Sequence, residues 1–224
     1  PSYAHAVGAV YRNSDPSDIV VTAAGGLVGE VVQVWKPKQL NTFETEWGFS
    51  CMGYEISGAL GIKMAKPDQD VVVFVGDGSY LLNNTDIYSS VIYDQKLIII
   101  VCDNGGHMVI NRLQLAKGGK EYICNLRAAR ATNLKFVDFE NHAKSMGANA
   151  ETVSSTSELE AAYKRAKDSD KTYVITIKTH GYEWLEGTAF WESPTLQDQL
   201  LIIIKMPLRI LSLERANSVK VFNF

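Results

Sequence analysis

Three short, unbroken apolar runs stand out against the rest of the chain. They are Asp18–Ala24 ("DIVVTAA"), Asp70–Asp77 ("DVVVFVGD") and Lys96–Asn104 ("KLIIIVCDN"). All are rich in β-branched residues and end on small or polar ones. Runs of that length predict strands buried on both faces of a parallel sheet. "KTYVITIKT" (Lys171–Thr179) predicts a last strand. Between the runs the period changes. "GEVVQVWK" (Gly29–Lys36) reads as a short helix. Ser50–Lys66 has small and apolar residues at helical spacing and is closed by Pro67. "NNTDIYSSVIYDQ" (Asn83–Gln95) opens on polar capping residues, and "DFENHAKSMGA" (Asp138–Ala148) is helical. Ser155–Asp170 starts Ser-Thr and then places a Glu, as a capping box does. Val34–Trp47 carries no recognisable strand.

Strands alternating with helices predict an α/β fold, a parallel sheet flanked by helices on both faces with right-handed crossovers. Ligands of such sheets bind at the carboxyl ends of the strands. Two segments escape the pattern. Residues 105–132 mix glycine, charge and scattered apolar residues, which predicts a long active-site loop with a helical start. The tail 193–224 has no clear period and is expected to be poorly ordered, leaving 1–192 as the binding domain.

Composition narrows the function classes. With 224 residues, 46% of them hydrophobic, the chain has enough apolar material for a sizeable core. A formal charge of −3 argues against nucleic acid and anionic membrane as partners. The longest apolar runs are too short to span a bilayer. Cys51, Cys102 and Cys124 are odd in number and unrelated in spacing. They make no zinc or disulfide pattern, and Cys51 and Cys102 read as small buried hydrophobes. No stretch reads as a signal peptide, so a cytoplasmic location is expected. The first residue is Pro1 rather than Met, so a piece of a longer protein is expected.

The chemistry sits where two of the buried runs stop. Asp77 follows one and Asn104 the other, with one helix predicted between them. Their strands are then near neighbours, and the two polar ends converge on one edge. A carboxylate and an amide oxygen are hard ligands that suit Mg²⁺, which fills its remaining positions with water and substrate phosphate. Gly76 and Gly78 flank the aspartate, and Gly105 and Gly106 follow the asparagine. Glycine lets backbone approach a phosphate closely. Helix N-termini expected after Ser79 and after Gly106, with His107 and Met108 in the latter, point N–H groups at the same anion. Either motif alone reads as an ordinary turn. Together they predict a Mg²⁺-bridged pyrophosphate.

A second pattern competes. Ala24, Gly26 and Gly29 form A-x-G-x-x-G after a strand, with Glu44 or Glu46 about twenty residues on, close to the dinucleotide fingerprint. Its first glycine is missing and no strand is found to carry the acid. The nicotinamide reading therefore ranks second, while a glycine-rich strand end touching a phosphate is retained.

"GDGSYLLNNTDIYSSVIYDQKLIIIVCDN" resembles the signature of thiamine diphosphate enzymes, in which GDG is followed across a helix and a strand by Asn. The resemblance extends over roughly Ala4–Glu192 and covers the C-terminal, pyrophosphate-binding domain. Within that superfamily, "SCMGYEISGALGIKMAKPDQDVVVFVGDGSYLLNNTDIYSS" and "CDNGGHMVINRLQLAKGG" look like the 3D-(3,5/4)-trihydroxycyclohexane-1,2-dione hydrolases of inositol catabolism. Acetolactate synthase-like carboligases and decarboxylases share the frame and differ in these words.

The resemblance implies thiamine diphosphate and Mg²⁺ as cofactors and a cyclic diketone as substrate, opened at a ring C–C bond. Asp77 and Asn104 would ligate Mg²⁺ by side chain and Gly106 by its carbonyl. Gly76, Gly78 and Ser79 would contact the diphosphate, with Gly25 and Gly26 on its other side. Met52 would support the bent cofactor, although a Met at that spacing is also ordinary helix core. The Ser50 carbonyl would accept from the aminopyrimidine. His107 faces either the substrate with its ring or the phosphate with its N–H. Arg112 and Gln114 stand as either loop residues or substrate contacts. Val28 stands where the family has Pro. The glutamate that activates the cofactor belongs, in this family, to a separate N-terminal domain, usually of a partner subunit. No Glu here takes that role, so no catalytic residue is assigned. The chain alone is expected to be inactive, and the full-length parent to be a homodimer or homotetramer. A non-catalytic fragment is the remaining alternative.

Overall fold

The computed structural model describes residues 1–186, so the expectations for 187–192 and for the tail lie outside the described residues. The elements in chain order are α1 (Tyr3–Arg12), β1 (Ile19–Thr22), α2 (Gly25–Val34), β2 (Phe43–Thr45), α3 (Tyr54–Ala65), β3 (Val71–Gly76) and α4 (Asp77–Leu82). They continue with α5 (Asp86–Ile92), β4 (Ile98–Asp103), α6 (Met108–Ala116), α7 (Phe139–Ser145), β5 (Asn149–Val153), α8 (Thr156–Asp168) and β6 (Tyr173–Lys178). The six strands form one sheet in the order β2-β1-β3-β4-β6-β5, and every pairing is parallel.

Alternation along the strands divides the core in two, because successive strand side chains point to opposite faces. Val20, Phe74 and Ile100 meet Val7, Val10, Leu27, Val31 and Leu159, so α1, α2 and α8 cover one face. Val21, Val73, Ile99 and Val101 meet Ile56, Leu60, Ile87 and Phe139, so α3, α5 and α7 cover the other. The predicted three-layer architecture is therefore present, and so are the expected strands β1, β3, β4 and β6.

Several boundaries differ from the sequence reading. Helix α1 was not anticipated, nor was β5, an edge strand in which only Ala150 and Val153 are buried. Val34–Trp47 does contain a strand. β2 has three residues and little burial, which is why it left no apolar run. Helix α2 begins at Gly25 rather than Gly29, and α3 begins at Tyr54, which leaves Ser50–Met52 outside it. Asp77 itself starts a helix, α4, where the sequence reading placed the helical start after Ser79.

The chain runs from β1 out to β2 and returns to β3 on the opposite side of β1. That reversal puts a crevice at the carboxyl ends of β1 and β3, where open α/β sheets take ligands. The opposite, amino-terminal end of the strands is closed by charge. Lys167 at the end of α8 reaches Asp18 at 2.8 Å, Asp15 at 2.6 Å and Asp70 at 3.3 Å. Asp18 is buried and also accepts from the Tyr163 hydroxyl at 2.8 Å. Lys167→Met is expected to cost about 3 kcal/mol, because a buried carboxylate loses its counter-ion. Urea unfolding checks this through a lower midpoint at unchanged slope. Lys167 also holds the Asp15 carboxyl below its usual range. That contribution is present above the unfolded-state value and is lost as pH falls through the lower folded one.

Candidate active site

A cleft of about 580 Å³ opens at the carboxyl ends of β1, β3 and β4. All twelve residues singled out as cofactor-binding line it: Gly25, Gly26, Ser50, Met52, Gly76, Asp77, Gly78, Ser79, Asn104, Gly106, His107 and Met108. Gly25 and Gly26 are the first residues of α2, after β1. Gly76 ends β3, and Asp77, Gly78 and Ser79 make the first turn of α4. Asn104 and Gly106 follow β4, and His107 caps α6, which starts at Met108.

Asp77 ties two of these strand ends together. Its Oδ2 accepts the N–H of Gly105 at 3.1 Å and of Gly106 at 2.7 Å. Burial, and then the nearby charge of Asp103, push its carboxyl up to about 7. Asp103 shares the Gly105 N–H with Asp77, accepting it on Oδ1 at 3.0 Å, while its Oδ2 pairs with Lys178. Asn104 is buried beside Asp77; its Nδ2 donates to the Tyr3 hydroxyl at 2.6 Å, and its Oδ1 is buried with no partner among the described residues. A buried carboxylate pushed toward neutrality beside an orphaned amide oxygen is a pair of hard ligands short of a positive charge. This donor set fits a divalent cation such as Mg²⁺. Among the described residues no cluster of three or more His, Cys, Asp or Glu could cage a metal. A cation held here would draw its remaining ligands from backbone, water or phosphate, as Mg²⁺ does.

Two glycines are required by close approach. A Cβ on Gly106, whose φ is +136°, would meet the Cys124 carbonyl at 2.4 Å. A Cβ on Gly78 would meet the His107 ring at 2.6 Å, so that ring lies over the first turn of α4. Loop 105–132 folds back as expected of a long loop. Gly106 and Asn125 form an antiparallel bridge, and the Leu126 N–H donates to the Gly105 carbonyl at 3.0 Å.

Ser50 and Met52 lie on a turn before α3. The Glu46 carboxylate accepts the N–H of Phe49 at 3.2 Å and of Cys51 at 2.8 Å. Ser50 adopts a left-handed backbone, φ +51°, a strained state for a residue with a side chain. Met52 is 38% exposed, which excludes the helix-core reading. Cys51 is exposed, which corrects its reading as a buried hydrophobe, whereas Cys102 is buried. The small-residue helix was read as starting too early, and this misplaced Cys51.

The sequence reading missed Glu55. It stands in the first turn of α3 and is 1% exposed. Its carboxylate accepts from the Ser79 hydroxyl at 2.7 and 2.8 Å and from the Gly53 N–H at 3.0 Å. Burial raises its pKa. Glu55 therefore joins the Met52 turn to the first turn of α4 by engaging the Ser79 hydroxyl proton. A charged residue inside "MGYEISGAL" was the available signal. Tyr3, Trp47, Val109 and Trp184 also line the cleft without having been predicted to, and Arg112, left open between loop and substrate contact, lines it too. The Arg112 guanidinium lies over the Trp184 ring, 5.0 Å from its centroid, which favours a cleft position over an ordinary loop one. Gln114 instead donates to the Lys120 carbonyl.

Comparison with known proteins places this geometry. The sequence profile described as "Thiamine pyrophosphate enzyme, C-terminal TPP binding domain" matches residues 23–177. The chain is 38% identical over 175 residues to 3D-(3,5/4)-trihydroxycyclohexane-1,2-dione hydrolase of Halalkalibacterium halodurans, covering 75% of this chain and 27% of that protein. It is 36% identical over 189 residues to the Bacillus licheniformis protein of the same name, covering 81% and 30%. The chain thus spans under a third of the length of these relatives. Among solved structures, thiamine diphosphate-dependent 4-hydroxybenzoylformate decarboxylase of Rhodococcus jostii superposes with a TM-score of 0.67 at 19% identity, over 80% of this chain and 32% of that one. Benzoylformate decarboxylase of Polynucleobacter necessarius does so with 0.67 at 22%, over 81% and 34%. At those identities the structures speak to the fold alone.

Proposed function

Since the chain belongs to the thiamine pyrophosphate enzyme family, of which it carries the C-terminal binding domain, we propose that the cleft holds thiamine diphosphate through Mg²⁺. Asp77 and Asn104 ligate the ion by side chain and Gly106 by its carbonyl. The observation that carries the reading is the buried, unpartnered Oδ1 of Asn104 beside the Asp77 carboxyl. Gly78 and Ser79, in the first turn of α4, would contact the diphosphate, and Gly25 and Gly26 would close its other side. Met52 and the Ser50 carbonyl approach the aminopyrimidine from the strained turn. When bound, the cofactor supplies a nucleophilic carbon and an electron sink for cleaving a C–C bond beside a carbonyl.

The reaction is hydrolysis of the ring C–C bond of a trihydroxycyclohexane-1,2-dione, the substrate in the names of the relatives at 36–38% identity. These identities favour it over the carboligase and decarboxylase alternatives. Arg112 is the residue of this chain placed to meet a polyhydroxylated substrate at the cleft wall. The full-length enzyme works as a homodimer or homotetramer in the cytoplasm. Exposed Phe49 and Tyr88 on this chain are apolar surface for such an assembly. Among the described residues no helix is long and apolar enough to cross a membrane.

Isothermal calorimetry with thiamine diphosphate, with and without Mg²⁺, tests the reading. Saturable heat that requires the ion is expected. Its absence, or equal heat in EDTA, would remove the cofactor assignment.

A further inference from the structure

We propose that Tyr3 is a positioning residue that sets the orientation of the Asn104 amide, presenting Oδ1 rather than Nδ2 to the metal. The inference rests on the Mg²⁺ reading above. Tyr3 lies on α1, ahead of the family's matched span of 23–177.

The two ends of an Asn side chain are nearly equal in size and opposite in character. The oxygen ligates a cation, whereas the NH₂ group carries two donors and repels one. A buried amide used as a metal ligand therefore needs a group that selects one of its two orientations. Asn104 is 3% exposed. Among the described residues, the one hydrogen bond its side chain makes is Nδ2 to the Tyr3 hydroxyl at 2.6 Å, and this leaves Oδ1 unpartnered. A tyrosine hydroxyl can also donate, which would permit the flipped amide. The surrounding charges oppose the flip. Asp77, Asp103 and Glu30 all act on this hydroxyl, Asp77 most strongly of the three.

The hydroxyl is also fixed in place. The Tyr3 ring is buried and packs edge-on against Trp184, with centroids 6.1 Å apart and planes at 77°. Ser2 caps α1, and the Pro1 carbonyl accepts the His180 N–H at 2.8 Å, which pins the helix start to the segment after β6. Groups that hold and orient metal ligands in this way typically contribute about 10- to 100-fold to metal affinity.

The test is a Mg²⁺ titration at fixed thiamine diphosphate, read by the fluorescence of Trp47 and Trp184, both of which line the cleft. Tyr3→Phe keeps the ring and removes only the hydroxyl. It is expected to raise the half-saturating Mg²⁺ concentration roughly 10- to 100-fold. The same substitution is then made in an Asn104→Asp background. A carboxylate has two equivalent oxygens and no orientation to select, so there Tyr3→Phe should change the midpoint less than about threefold. An unchanged midpoint in the Asn104 background overturns the proposal. So does an equal loss in both backgrounds, which is what a packing role predicts. If Tyr3→Phe lowers thermal stability, the two backgrounds still decide, because a packing loss is common to both. A wild-type chain with no Mg²⁺-dependent response overturns both this inference and the cofactor reading. A wild-type response that Tyr3→Phe leaves intact overturns this inference alone.

Discussion

Asp77→Ala should abolish Mg²⁺-dependent binding of thiamine diphosphate, with a loss of at least about 100-fold, beyond the range seen for groups that only support a ligand. The substitution acts twice. It removes the carboxylate proposed to ligate the ion, and it releases the Gly106 N–H from its acceptor, leaving the Gly105 N–H to Asp103 alone. The second effect frees the loop that carries the Gly106 carbonyl. Stability should respond differently from binding. Asp77 is a buried carboxyl held at a raised pKa by desolvation and by Asp103, so its removal also relieves a repulsion. The thermal midpoint is therefore expected to move little while binding is lost. Calorimetry and thermal unfolding on one preparation separate the two. Binding within threefold of wild type would show that Asp77 is not a ligand.

Gly106→Ala is the second large effect. At φ +136° a residue with a side chain is strained by about 1–3 kcal/mol. The added Cβ would also lie 2.4 Å from a backbone carbonyl, Cys124 O, which cannot rotate away. The bridge to Asn125 must open, and the Gly105 carbonyl loses the Leu126 N–H. A stability loss of about 3 kcal/mol is expected, together with faster hydrogen exchange at Leu126 and a loss of cofactor affinity. Gly118→Ala is the control. Its φ is +80°, but nothing lies within 4 Å of the new Cβ, so it should cost about 1 kcal/mol and leave binding unchanged. Equal effects of the two substitutions would mean that strain, not the contact with Cys124, accounts for Gly106.

The layers of the fold were legible wherever burial was two-sided. β3 and β4 are apolar on both faces, and the halves of the site at their ends were found from sequence for that reason. β2 and β5 went unseen because, at the sheet edges, they bury few residues and carry mostly polar ones. Helix α1 carries Tyr3 to the cleft across more than a hundred positions, a juxtaposition that only the assembled sheet creates. Glu55 was readable in principle, as an acid within an apolar helix, but its partner Ser79 is on another element. Ser50, Cys51 and Met52 were drawn into the helix for one reason: small residues with helical spacing continue past the true helix start, and nothing local reveals that Gly53 turns left-handed at φ +92°. Trp184 had no sequence signal, because the segment after β6 reads as ordinary loop.

The Lys167 cluster and the cleft occupy opposite ends of the same strands. β3 has six residues, which separates the two by about 20 Å. At that distance, with no shared partners, substitutions at one end should combine additively with those at the other. Directed evolution of the cleft can thus proceed on a scaffold whose reserve of stability is adjusted independently, by changing Asp15, Asp18, Asp70 and their counter-ions. Variants that fail for lack of folding can be told from those that fail for lack of ligation by which end of the sheet rescues them.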